Sequence, residues 1–292
     1  MNRDQTDPLS FYAAPGPMTA IEEHEALLVG LPEDLPSLVQ VVQNNLVHAF
    51  WAERYGLTLS EAQKETLNLR RAADKLRRIA AADPRPLAEG RELEGRQVGN
   101  CRDFSLLLVS LLRRQGTPAR ARCGFGAYFN PGRYDDHWVA EVWDAAQGRW
   151  VLVDAQLDGL QRETLKIPFD TLDVPRDAFI TGGRAWEMML HGEADPRCFG
   201  IFDMNGPWFI WGNVLRELLS LNKVEILPWD WWESPCWSHR LEDPLPPAEE
   251  LEELNRLAAL TLAGDEGFEA LREEYERSPG LRPPQSWLQG GA

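Results

Sequence analysis

No apolar run in this sequence approaches 18 residues, so nothing in it reads as a membrane-spanning helix. Positive charge is in short supply: 30 Lys and Arg stand against 46 Asp and Glu, a formal net charge of −16. A phosphate backbone repels such a chain, which excludes nucleic acid as an expected partner. Much of the acid sits in one place, with 12 acidic and 3 basic residues from Glu242 to Arg277, and reads as a solvated helical face. Cysteine is scarce. The four, at positions 101, 123, 198 and 236, form no CxxC pair and no finger spacing, and Cys236 with His239 makes only half a zinc site. Neither a disulfide framework, a metal nor a cofactor is expected. Gly-rich phosphate loops, EF-hand loops and internal repeats are missing too. The start of the chain lacks a basic segment followed by an apolar core, so the expected setting is the cytoplasm, with reduced thiols.

What the chain does contain is a thiol, an imidazole and a carboxylate in settings that suit acyl transfer. They occur in Gly99-Asn100-Cys101-Arg102-Asp103-Phe104-Ser105, then Asp136-His137-Trp138, then Val153-Asp154. Asn100 suits an N-cap, Gly116 a C′ position, and Pro118 follows where a helix cannot continue. Between them Phe104, Leu107, Leu108 and Leu111 recur at i, i+3, i+4 and i+7, while Leu106, Val109 and Leu112 fill other faces. A helix apolar on most sides belongs in the centre of a domain. Cys101 then occupies its first turn, where free N–H groups favour a thiolate and can hold an oxyanion. The expectation is a lowered pKa, with faster alkylation near neutral pH than at the other three cysteines. Gln97 and Asn100 are candidate second oxyanion donors. Arg102, Asp103 and Trp138 are further candidates for substrate contact, although the helix dipole alone accounts for an acid at position 103.

The histidine and the acid fall on a hairpin. Ala119 to Phe129 alternates and reads as a strand; His137 to Asp144 and Arg149 to Asp154 read as two more, joined at Ala145-Ala146-Gln147-Gly148. A symmetric join sets Asp144 opposite Arg149 and Asp154 opposite Val139. His137 shares a face with Val139, so His137 and Asp154 are diagonal neighbours within side-chain reach. A slip of one residue would part them.

These segments, with the helix end Arg114-Gln115-Gly116-Thr117-Pro118-Ala119-Arg120 and the strands from His137 and Trp150, resemble the bacterial transglutaminase-like superfamily over roughly residues 95 to 160. Two departures stand out: Trp138 follows the histidine directly, and Asp154 is followed by Ala155-Gln156 where relatives carry Pro-Thr. The resemblance implies an α+β fold related to papain-like cysteine proteases, with a central helix bearing the cysteine and an antiparallel sheet bearing the other two groups. It also implies roles: Cys101 as nucleophile, His137 as general base and acid, Asp154 as the orienting group. The implied reaction runs through a thioester on an amide or peptide substrate, with hydrolysis favoured over cross-linking because nothing identifies an amine acceptor. Two alternatives remain open. One is a non-catalytic module of this fold that binds a peptide or small molecule; the other is an acyltransferase from a thioester donor to an amine, for which no basic coenzyme A cluster is seen.

Four regions are expected: a helical region over 1–85, a core over 86–175, a Trp-rich segment over 176–240 and an acidic, mostly helical tail over 241–292. In the first, Leu38, Val41, Val42, Asn45 and Leu46 mark a helix running towards Trp51 that would carry His48 as a packing or surface residue. A second opens at Ser60 and includes Leu67, Leu69, Leu76 and Ile79. The Trp-rich segment holds seven of the 12 tryptophans. They either complete the core, the stronger expectation, or wall a pocket beside the thiol, with Arg184, Asp230 and Glu233 as its rim. Partners are expected to be a peptide, protein or small amide; no membrane is implied and the oligomeric state is not legible.

Overall fold

The structure, a computed structural model, describes residues 7–237, 241, 245 and 251–289. It is a mixed α and β fold. Leu46–His48 (β1) and Gln97–Gly99 (β2) form a small parallel pair. The main sheet comprises Ala119–Gly126 (β3), Tyr134–Asp144 (β4), Arg149–Val153 (β5), Phe179–Thr181 (β6), Phe199–Ile201 (β7) and Met204–Asn205 (β8). Its order is β6-β3-β4-β7-β8, with β5 also on β4. Since β3 occupies one edge of β4, β5 and β7 share the other: β7 pairs with Tyr134 and Asp135, β5 with Ala140 to Asp144. Between them, residues 136–139 have no strand partner on that side among the described residues.

The helix Cys101–Arg114 lies under this sheet. Asn100 and Asp103 form a capping box: the Asp103 N–H donates to Asn100 Oδ1 at 3.2 Å and the Asn100 N–H to Asp103 Oδ2 at 3.1 Å. Gly116 ends it with φ +79, a conformation that costs glycine little. Thirteen of its residues are buried, and Leu107, Leu108 and Leu111 pack with Ala121, Cys123, Trp138, Ala140 and Val142 of the sheet. The hairpin has the symmetric register expected, from Asp144↔Arg149 to Ala140↔Val153.

The opposite side is covered by helices Gly182–Leu190, Pro207–Leu221 and Glu252–Leu262, which gather Trp186, Trp211 and Leu215 into a second cluster. Pro207–Leu221 also caps the part of β3 that β6 leaves bare. Glu217 Oε2 accepts the Cys123 N–H at 2.5 Å, Ser220 donates to Ala121 O at 2.6 Å, and Asn213 Nδ2 donates to Gly124 O at 3.1 Å. Polar side chains thus satisfy an otherwise open strand edge. Gly124 lets β6 come this close, because a Cβ there would fall 2.2 Å from the Ile180 carbonyl oxygen.

The N-terminal region departs from the sequence reading. The first helix stops at Asn45, and Leu46 to His48 continue as β1. Asn45 Nδ2 donates to Val41 O and Leu87 O, turning the chain out of its helix. The expected single helix from Ser60 is two: Ser60 caps Glu61–Glu65, and a new helix spans Ala72–Ala82. The acidic tail contributes helices Glu252–Leu262 and Phe268–Arg277. Among the described residues no helix is long and apolar enough to cross a membrane.

Candidate active site

Capping fixes where the thiol stands. Asp103 is fully buried, ion-paired to Lys75 at 2.9 Å and to Arg102 at 3.1 Å. Arg102 donates to the carbonyls of Arg70 and Glu225. This network locks the first helical turn from behind, so Cys101 presents its thiol into a cavity of about 870 Å³. Asn100, His137, Gln156 and His48 line the same cavity.

His137 and Asp154 meet as the register predicts. The imidazole Nε2 and Asp154 Oδ2 are hydrogen-bonded at 2.8 Å, both groups buried. Asp154 is held three ways: Tyr128 donates its hydroxyl to Oδ2 at 2.7 Å and the Gln156 N–H donates to Oδ1 at 3.0 Å. Tyr128, Phe129 and Phe179 ring the imidazole at 5.8, 4.8 and 6.3 Å between centroids. The Asp154 bond uses Nε2 and leaves Nδ1 for the thiol. No hydrogen bond joins Cys101 to His137 in this resting state among the described residues, a looseness common before substrate binds.

The thiol is not acidified. Burial pushes the Cys101 pKa well up, helped by the negative charge of Asp136 and then Asp154. Backbone N–H groups of Trp138 and Arg102 act the other way but do not win. The expected low pKa is therefore corrected: the dipole of the helix tip is outweighed by removal of the sulfur from water. Cys123 is likewise raised, with burial again the first cause.

The remaining candidates separate. Asn100 lines the cavity with Oδ1 committed to the cap and Nδ2 buried without a partner. Gln97 turns away and donates to Val98 O at 3.0 Å. Arg102 and Asp103 face the Lys75 side and hold the helix rather than the cavity. The Trp138 indole is fully buried in the core under the sheet; only its backbone reaches the thiol, because alternation sends its side chain opposite to that of His137. Asp230, expected on a rim, is buried and bidentate to Arg70 at 2.6 and 2.9 Å. That anchor turns Trp229 and Trp231 outward, onto the cavity. Arg184 pairs with Glu187 and Glu193 at the surface, away from the cavity, which Glu233 does not line either.

The tryptophans thus divide between both expected uses. Trp186 and Trp211 are core; Trp208, Trp229 and Trp231 stay exposed along the cavity. Phe202, at the tip of the β7–β8 hairpin, touches Phe50 across the opening, ring centroids 5.3 Å apart. Its φ of +53 is unusual for a bulky residue and marks a strained tip. Tyr128 and His48 were missed by sequence reasoning. Tyr128 lies just past a strand where no motif flags it, and His48 was placed in a helix. Among the described residues no group of His, Cys, Asp and Glu could hold a metal; His239 lies outside them.

No curated protein matches the sequence. A solved structure from Cytophaga hutchinsonii, described as a candidate cysteine protease, is similar at 20% identity and a TM-score of 0.35 over 61% of this chain. The matched part is 47% of that protein's chain, so this chain spans about half its length. The profile of the transglutaminase-like superfamily matches residues 58–155, which run from the loop before Ser60 through the cysteine helix and the hairpin to Ala155. Residues 58–155 are a transglutaminase-like superfamily domain.

Proposed function

We propose that the protein is a cysteine-dependent acyl-transfer enzyme acting on a peptide or small amide that carries a bulky apolar or aromatic group. One observation carries the reading: the 2.8 Å His137–Asp154 pair opens on the same cavity as the thiol at a helix tip. In this reading His137 Nδ1 takes the Cys101 proton as the sulfur attacks the carbonyl carbon. A preformed thiolate is not required, and the raised thiol pKa argues against one. The tetrahedral intermediate collapses, His137 protonates the leaving amine, and a thioester remains on Cys101. Water resolves it in the favoured course. The walls support the substrate class, since Phe50, Trp51, Phe129, Trp208, Trp229 and Trp231 all face the cavity.

The test is trapping. Incubation with aryl and acetyl esters, acid quench and intact mass should show an acyl adduct on wild type and none on Cys101→Ala, with the aryl ester faster. Absence of any adduct, together with unimpaired ligand binding by Cys101→Ala, would instead make the protein a binding module. Transfer of the acyl group to an added amine in preference to water would make it an acyltransferase.

A further inference from the structure

His48 closes β1, and across the parallel pair its Cα partner is Gly99, two residues before the thiol. Its ring lies 6.3 Å from that of Phe104, one turn beyond Cys101 on the same helix, and it lines the cavity with Cys101 and His137. The side chain is buried, at 6% exposure. Nδ1 accepts the Phe50 backbone N–H at 3.2 Å. In a neutral imidazole the proton must then sit on Nε2. Burial, with the charge of His137 next, pushes the pKa down to about 3, so the ring is neutral at any working pH. Nε2–H has no partner among the described residues. A donor that opens on the cavity without a protein partner is free to bond an acceptor that enters there.

We propose that His48 Nε2–H and the backbone N–H of Cys101 together form the oxyanion hole of the acyl-transfer reaction. The inference rests on the acyl-transfer reading of Cys101 and adds a residue to it. The Cys101 N–H, at the first helical position, has no intrahelical acceptor and is free for this use. As sulfur bonds to the carbonyl carbon, the C=O π pair moves onto oxygen, and both donors face that charge. On collapse the pair returns, the C–N bond breaks, and the leaving nitrogen takes its proton from His137. His48 keeps its own proton throughout. It acts by position and dipole, already oriented by Phe50.

The experiment compares His48→Met, of similar length without a donor, with His48→Gln, whose amide restores an N–H. Two rates are measured for each: acylation of Cys101 by an aryl ester, by intact mass in a single turnover, and alkylation by iodoacetamide. Alkylation displaces iodide at a saturated carbon and forms no oxyanion. His48→Met should lose roughly 100- to 1,000-fold in acylation, and His48→Gln about tenfold or less. Both should alkylate within about threefold of wild type. Equal acylation by the two variants would overturn the proposal and pass the role to Asn100 Nδ2. So would a parallel fall in both rates, which would reduce the ring to a prop for the site. Wild type that alkylates at Cys101 but accepts no ester would overturn the acyl-transfer reading itself, and the hole with it.

Discussion

A neutral histidine sealed beside a reactive centre should leave a mark on acid stability. His48 titrates near 3 in the folded protein and near 6.5 when unfolded. Below 6.5 the unfolded chain takes up a proton that the folded one refuses. The stability that His48 permits is therefore complete above 6.5 and falls as pH drops towards about 3. Each pH unit well inside this window is worth about 1.4 kcal/mol. Going from pH 7.5 to 5 then costs about 2 kcal/mol, and the whole window about 5. Glutamine at position 48 does not titrate, so His48→Gln should lose this part of the slope. Urea unfolding followed by tryptophan fluorescence, at pH 7.5 and pH 5 for both proteins, measures it as a difference of differences. Every other titrating group cancels. Identical pH slopes in the two proteins would refute the neutral, buried imidazole.

Other expectations concern chemistry and fold. Asp154→Asn should favour the wrong His137 tautomer and slow Cys101 acylation by about 1,000-fold or more, with the melting temperature little changed; a loss under tenfold would detach the carboxylate from the mechanism. Alkylation of resting Cys101 should climb as pH rises past 8, given the raised thiol pKa, and a plateau reached by pH 6 would contradict it. Glu217→Ala leaves the Cys123 N–H without an acceptor beneath a helix and Arg122 with Glu141 as its remaining carboxylate, and should cost about 1–3 kcal/mol in denaturant unfolding. A cost below about 1 kcal/mol would mean that the strand edge needs no such cap. Trp231→Ala should reduce kcat/KM for aryl esters about tenfold while sparing acetyl esters; equal losses on both would dissociate this wall from selectivity.

The hairpin was readable in the chain because its order is local. Four turn residues set the register, and alternation over the next few positions brings His137 to Asp154. The cysteine helix was readable for the same reason, from Asn100 to Gly116. β1 was not. Leu46 to His48 continue an apolar stripe of helical period, and only pairing with Gln97 to Gly99, about fifty residues on, makes them extended. His48 went unrecognised with them. Trp229, Asp230 and Trp231 look alike as a rim until Arg70, distant in sequence, claims the middle residue and turns its neighbours outward. The direction of the thiol pKa is not legible in the chain, because a helix dipole is visible in sequence, whereas the depth of burial and the charge of Asp136 are not.

The open edge of β4 at residues 136–139, paired with β3 alone, sets activity against sheet regularity. A version of β5 or β7 two residues longer would zip onto β4, gain ladder hydrogen bonds and make a sturdier sheet. It would also claim the Trp138 N–H that now helps the sulfur anion and push the helix tip away from the histidine. Variants selected only for heat resistance should therefore drift towards closing this seam, and lose turnover as they do.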